Sequence, residues 1–117
     1  MSLSDEQWEF LKDVSKLILW AGLQGYKITG GELLRPELMQ KHYFDTGKSK
    51  TMNSMHRKKL AIDLNVFKPD GDGFKYTTKK EDVQPIGDYW EDLNTKNVWG
   101  GNWKNFVDTP HFQRSPQ

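Results

Sequence analysis

Two pairs of residues have the types and the spacing that metal-assisted hydrolysis would require. His56 and Asp63 lie seven positions apart in SMHRKKLAIDL, and Asp108 precedes His111 by three positions in DTPHF. A catalytic zinc usually has three protein ligands, drawn from imidazole and carboxylate groups, and one open position. A nearby carboxylate that is not a ligand can act as general base. The spacing alone is also consistent with a basic surface patch or with a hydrogen-bonded His–Asp pair, which is the more common arrangement.

The segment after His56 is predicted to be a strand. Residues 60 to 66 alternate between apolar and other side chains, which is the period of a half-buried strand. The alternation sends Ile62 and Leu64 to one face and Asp63 to the other, so Asp63 points away from the core. The following PDGDG, residues 69 to 73, predicts a hairpin turn.

Three helices are predicted around this strand. The first begins with a capping box of Ser4 and Gln7, with Leu3 and Trp8 as a hydrophobic staple. Its expected apolar stripe is Trp8, Phe10, Leu11, Val14, Leu17, Ile18 and Ala21. The second opens at Pro36, and the third covers residues 81–93, with Ile86, Tyr89, Trp90 and Leu93 facing inward. Helices and strands without a regular βαβ rhythm predict an α+β fold.

Composition excludes several classes of protein. The 117 residues fit one domain spanning 1–117, expected to be a monomer. A net charge of +1 argues against a dedicated nucleic-acid binder. The absence of cysteine excludes disulfides and thiolate zinc sites, and no apolar run predicts membrane insertion. The opening MSLSDEQWEF lacks the features of a signal peptide, so we expect the protein to be cytoplasmic when made.

The motifs, taken in order, resemble the VanY-type zinc peptidases. These are the D-alanyl-D-alanine carboxypeptidases and the phage L-alanyl-D-glutamate endopeptidases. Their pattern is an Arg and a downstream Gln, then SxHxxGxAxD, then a late acidic-x-x-H. In this sequence the pattern is met by Arg35, Gln40, Ser54, His56, Ala61, Asp63, Asp108 and His111. The resemblance spans about residues 28 to 113.

The resemblance implies a Zn²⁺ site and a mechanism. The implied ligands are His56, Asp63 and His111, with Asp108 as general base for a zinc-activated water and Arg35 facing the oxyanion. The implied substrate contacts are Ser54 and Gln40. Trp99 and Trp103 in WGGNW either line a substrate groove or pack in the core, and we assign Trp103 to substrate binding. The implied fold is the small hedgehog/D-Ala-D-Ala-peptidase-like α+β fold, with a mixed, mostly antiparallel sheet and packed helices.

Two departures from the pattern favour the endopeptidase branch. Lys59 stands where many members have the Gly of HxxG, so we expect that the loop does not use a glycine conformation there. The late acid is Asp108, where carboxypeptidases often have Glu. The basic side chains of Lys48, Lys50, Arg57, Lys58 and Lys59 are either solvated or contact carboxylates of the substrate.

The predicted function is therefore cleavage of the L-alanyl-D-glutamate bond in the peptidoglycan stem peptide. The expected setting is a phage endolysin released through a holin-type pore. The alternatives are a D-alanyl-D-alanine carboxypeptidase and a non-catalytic wall-binding or phage structural module.

Overall fold

A computed structural model describes residues 1–31 and 58–115, and within them it shows an α+β fold, as predicted. In chain order the elements are α1 (Leu3–Leu23), β1 (Lys27–Gly30), β2 (Ala61–Asp70), β3 (Gly73–Thr77), α2 (Lys80–Leu93), β4 (Asn97–Trp99), a 3₁₀ turn (Gly100–Asn102) and β5 (His111–Arg114). The helix predicted from Pro36 lies outside the described residues. Neither α1 nor α2 is long and apolar enough to cross a membrane.

Within the described residues the sheet is built around β2, which has three antiparallel partners there. The strand order is β1-β2-β5-β4, with β3 also paired to β2. The predicted turn at residues 69–73 is the β2–β3 hairpin, in which Asp70 faces Gly73. At its other end β2 pairs with β5, and Asp63 lies directly opposite His111. This register brings together two residues that are far apart in the sequence.

The start of α1 differs from the prediction. Ser2, not Ser4, is the N-cap: its hydroxyl accepts a hydrogen bond from the Asp5 backbone N–H, and the Asp5 carboxylate accepts one from the Ser2 N–H. Leu3 is therefore inside the helix, so the predicted staple with Trp8 does not form. Two overlapping capping patterns compete here, and the structure uses the earlier one.

The buried face of α1 is also rotated from the prediction. Phe10 and Leu17 are buried, whereas Trp8 is 61% exposed and Leu11 51% exposed. The predicted stripe was wider than the area that the core can cover. Glu6 is buried on the inward face because it has charged partners there, which hydrophobicity alone does not reveal.

Aromatic side chains from the helices and from β5 form the centre of the core. Trp90 of α2 makes edge-on contacts with Phe10 of α1, at 5.7 Å between ring centroids, and with Phe112 of β5, at 6.1 Å. Trp99 is fully buried, so its alternative role in a substrate groove is wrong. A Cβ atom on Gly87 would lie 2.2 Å from the Trp99 ring, so glycine is needed there for helix and ring to pack.

The two faces of β5 have different partners. Phe112 packs toward the helices, and Arg114 donates from Nε to the Glu6 carboxylate at 2.5 Å, with Lys96 3.3 Å from the same carboxylate. Because side chains alternate along a strand, His111 lies on the opposite face. The helices therefore cover one face of the sheet, and the candidate site lies on the other.

Candidate metal centre

The first part of the site is the cross-strand pair of Asp63 and His111. The two residues are direct partners in the β2–β5 register, and directly opposed side chains in a sheet are close neighbours. The Asp63 Oδ1 and His111 Nδ1 atoms are 3.5 Å apart. The His111 side chain is buried and the Asp63 side chain is partly exposed, so the pair lies at the edge of the protein interior.

Asp108 reaches the site from the loop between the 3₁₀ turn and β5. Its N–H donates to the Gly100 carbonyl at 3.1 Å, and its own carbonyl accepts from the His111 N–H at 3.2 Å. Next to it, the Thr109 carbonyl accepts from the buried Trp99 indole, and the Thr109 hydroxyl donates to the Thr78 carbonyl, both at 2.8 Å. These bonds fix the loop to the core, so Asp108 is held near His111.

Together Asp63, Asp108 and His111 form a cluster that fits a divalent metal ion. One potential ligand atom from each lies within 4.8 Å of the others. Carboxylate oxygen and imidazole nitrogen are ligand types that zinc uses in catalytic sites. Two carboxylates this close repel each other, and a bound cation would offset that repulsion. The donor set and its compactness therefore suit zinc.

Two glycines allow the backbone to approach the cluster closely. A Cβ atom on Gly100 would lie 2.4 Å from the Asp108 carbonyl oxygen and 3.1 Å from the His111 Cβ. A Cβ atom on Gly31 would lie 2.7 Å from the Asp63 carbonyl oxygen, which accepts a hydrogen bond from the Gly31 N–H. Sequence reasoning missed both, although WGG preceding an acidic-x-x-H motif was a usable signal for Gly100.

The environment of the His111 ring involves one predicted residue and one that was missed. The half-buried Trp103 ring lies 5.0 Å from the His111 ring between centroids, at 43°. Trp103 is thus beside the cluster, where a substrate contact was predicted. The missed residue is Gln113, whose Oε1 lies 2.7 Å from His111 Nε2. No strand was predicted at residues 111–114, so the sequence offered no local signal for this contact.

The other predicted residues are distributed as follows. Arg35, Gln40, Lys48, Lys50, Ser54, His56 and Arg57 lie outside the described residues, so their assigned roles stay predictions. Lys58 is partly exposed, and its carbonyl accepts a hydrogen bond from the Gln7 amide at 2.8 Å.

The expectation for Lys59 is wrong. It has a φ of 57°, the left-handed conformation that favours glycine. The chain therefore keeps the glycine geometry of HxxG with a lysine in its place.

The fold and the cluster define a class: small α+β domains that carry a carboxylate–imidazole centre on the face of an antiparallel sheet opposite α1 and α2. Among solved structures, the chain is similar to the Serratia marcescens L-Ala D-Glu endopeptidase ChiX. That match has a TM-score of 0.69 and 23% sequence identity, and it covers 89% of this chain and 79% of that one. At this identity the likeness shows the fold.

The family follows from the sequence comparison. Residues 47–114 match the D-alanyl-D-alanine carboxypeptidase family model, and the chain belongs to this peptidase family, which confirms the resemblance. It is also 29% identical over 107 residues to the L-alanyl-D-glutamate peptidase of Listeria phage A118. That match covers 84% of this chain but 34% of the phage protein, so the chain spans about a third of its relative's length.

Proposed function

We propose that the protein is a peptidoglycan peptidase that cleaves the L-alanyl-D-glutamate bond of the stem peptide. The observation that carries the proposal is the Asp63–Asp108–His111 cluster in a chain of this peptidase family. The choice of bond rests on the names of two similar proteins, a phage L-alanyl-D-glutamate peptidase and a bacterial L-Ala D-Glu endopeptidase.

The proposed metal is zinc, held by His56, Asp63 and His111. When bound, zinc would supply Lewis acidity, which polarises a carbonyl and favours ionisation of water. The protein's part is to present two ligands from adjacent strands at a fixed separation. Since Asp63 and His111 are held by the β2–β5 register, little rearrangement is needed for them to act together.

Asp108 is proposed as the general base. Its carboxylate would accept a proton from the attacking water and then deliver it to the nitrogen of the departing amine. Water and the peptide bond are thereby converted into one carboxyl and one amino group. The hydrogen bonds from the Asp108 loop to Gly100 and to His111 hold Asp108 near His111, which supports this role. Arg35 is proposed to stabilise the oxyanion, and Ser54, Gln40 and Trp103 to contact the substrate.

The direct test is mass spectrometry of purified peptidoglycan digested by the zinc-loaded protein. New termini at L-alanine and D-glutamate are expected. Asp108→Asn should lower the rate by a factor on the order of 10²–10⁴, typical of a lost general base. Asp92→Asn, an exposed carboxylate on α2, is the matched control and should keep full activity. Equal activity in both variants would contradict the role of Asp108.

Zinc-dependent thermal stabilisation separates the ligand from the base. An ion that binds the folded state at 100 times its Kd adds about 2.7 kcal/mol to the free energy of unfolding. Asp63→Asn should abolish most of this gain, because Asp63 is a proposed ligand. Asp108→Asn should keep it while losing activity. If zinc stabilises the Asp63 variant but not the Asp108 variant, Asp108 is the ligand and Asp63 is not.

A D-alanyl-D-alanine carboxypeptidase is the second candidate, because the matching family model carries that description. Such an enzyme releases free D-alanine from the end of the stem peptide, and the same digest detects it. Release of D-alanine without new L-alanine and D-glutamate termini would select this alternative. If the folded, zinc-loaded protein cleaves neither bond, the remaining candidate is a non-catalytic wall-binding or phage structural module.

A further inference from the structure

A short hydrogen-bond chain runs from His111 to Ser115 on the side of β5 opposite Phe112. The His111 Nε2 and Gln113 Oε1 atoms are 2.7 Å apart, and the Gln113 side-chain amide donates to the Ser115 hydroxyl at 2.5 Å. His111 and Gln113 are two positions apart on β5, so strand alternation places them on one face, and Ser115 directly follows the end of the strand. Ser115 is itself fixed by its N–H, which donates to the Lys96 carbonyl at 2.8 Å.

The distances locate the proton of a neutral His111 ring. A neutral imidazole carries one N–H and one lone pair. At 2.7 Å the Nε2–Gln113 contact lies within the range of a good hydrogen bond. With its carbonyl oxygen facing the ring, as the structure places it, Gln113 can only accept, and this orientation assigns the hydrogen of a neutral ring to Nε2. The lone pair is then on Nδ1, the nitrogen that faces Asp63.

We infer that Gln113 is a positioning residue, which holds His111 in the Nε2–H tautomer and thereby makes Nδ1 the metal-binding atom. The inference deepens the proposed function and rests on it for the identity of the metal. A metal-binding His commonly donates its other N–H to a fixed acceptor, and loss of that acceptor typically lowers metal affinity 10- to 100-fold.

The Gln113 side chain is not needed to hold the strand. The backbone of Gln113 is paired on both sides, with Ala61 of β2 and Val98 of β4. Its carbonyl also accepts a hydrogen bond from the buried Trp90 indole at 3.1 Å. A change confined to the side chain should therefore leave the sheet intact, so an effect on His111 can be distinguished from unfolding.

The first test is ¹⁵N NMR of the histidine side chains in the metal-free protein, at a mildly alkaline pH where a typical imidazole is neutral. The wild type should show the Nε2–H pattern for His111. Gln113→Leu, which has no acceptor, should give a mixture of tautomers. Gln113→Glu retains an acceptor and should restore the wild-type pattern. An Nδ1–H pattern in the wild type, or an unchanged pattern in Gln113→Leu, would overturn the inference.

The second test is zinc affinity, measured by competition with a chromophoric chelator. Gln113→Leu should bind zinc about 10-fold or more weakly, whereas Gln113→Glu should bind at least as tightly as the wild type. Ser115→Ala keeps the acceptor but frees the amide to turn, so its loss should be smaller and in the same direction. If Gln113→Leu does not fold, Ser115→Ala takes its place in both tests. A zinc affinity and a His111 tautomer equal to those of the wild type in Ser115→Ala would then count against the inference.

The two proposals can fail separately. If the wild type binds zinc and shows the expected tautomer but cleaves no stem peptide, the proposed function is wrong and the role of Gln113 stands. If the wild type cleaves the substrate while Gln113→Leu keeps the tautomer and the zinc affinity, the proposed function stands and the role of Gln113 is wrong.

Discussion

Removal of the Glu6 carboxylate should strongly destabilise the protein. Arg114 is 2% exposed, and its Nε donates to Glu6, which is itself 4% exposed. The Arg114 Nη1 atom is also buried and has no hydrogen-bond partner among the described residues, so Glu6 is the main compensation for this charge. Breaking a buried pair by removing one partner typically costs about 3–5 kcal/mol. We expect a loss of that size for Glu6→Ala.

The assay is thermal unfolding followed by circular dichroism. For 117 residues the unfolding entropy is about 0.25 kcal/mol per kelvin, so the expected loss lowers the Tm by roughly 12–20 °C. The matched control is Glu9→Ala on the same helix, where an exposed carboxylate pairs with Lys12. Exposed pairs contribute about 0–1 kcal/mol, so the control should shift the Tm by at most roughly 4 °C.

The comparison between the two variants decides the matter. Equal losses in Glu6→Ala and Glu9→Ala would refute the claim that burial makes the first pair important. A double replacement of Glu6 and Arg114 by leucine offers a second check. Because it removes both charges, it should be considerably more stable than Glu6→Ala.

Three further predictions concern acidity and backbone geometry. The Arg114 hydrogen bond lowers the pKa of Glu6 although burial opposes this. The stability that the ionised Glu6 contributes is therefore fully present above the unfolded-state pKa of about 4.3, and it is lost as the pH falls through the lower folded-state pKa. When Tm is measured against pH, acidification should lower it less steeply in Glu6→Gln than in the wild type. Gly100→Ala should displace Asp108 and weaken both zinc binding and peptidoglycan hydrolysis. Gly22→Ala is the control and should do neither, because no atom of the described residues lies within 4 Å of the new Cβ. Lys59→Gly should change the free energy of unfolding by no more than about 1 kcal/mol, because relief of the left-handed strain is offset by the flexibility of glycine in the unfolded chain; a denaturant titration that shows a larger loss would contradict this.

The sequence predicted the elements whose pattern is local. The alternation around Asp63 gave β2, the PDGDG turn gave the hairpin, and the apolar spacing of residues 81–93 gave α2. The orientation of α1 was not predictable in this way. Its buried face is set partly by Glu6, whose burial depends on a cation about 100 residues later in the chain, and no local period reports such a partner.

The candidate site was predicted to a similar extent. The family pattern identified Asp63, Asp108 and His111, which the structure brings into one cluster. It did not identify Gln113, whose relation to the cluster depends on tertiary geometry, and WGG was only an indirect signal for Gly100. The 2.7 Å contact of Gln113 follows from the strand direction after His111, and the closeness of Gly100 follows from the path of the loop.

The buried ion pair and the metal centre depend on the same strand register. A slip of β5 by one residue would turn Phe112 outward and His111 toward the core, which the loss of apolar burial opposes. A slip by two residues leaves each side chain of β5 on its original face of the sheet, so the apolar pattern alone opposes it less. Such a slip would separate Arg114 from Glu6 and leave a buried charge, at a cost of about 3–5 kcal/mol. The ion pair on the helix side therefore favours the one register in which Asp63 and His111 face each other on the other side.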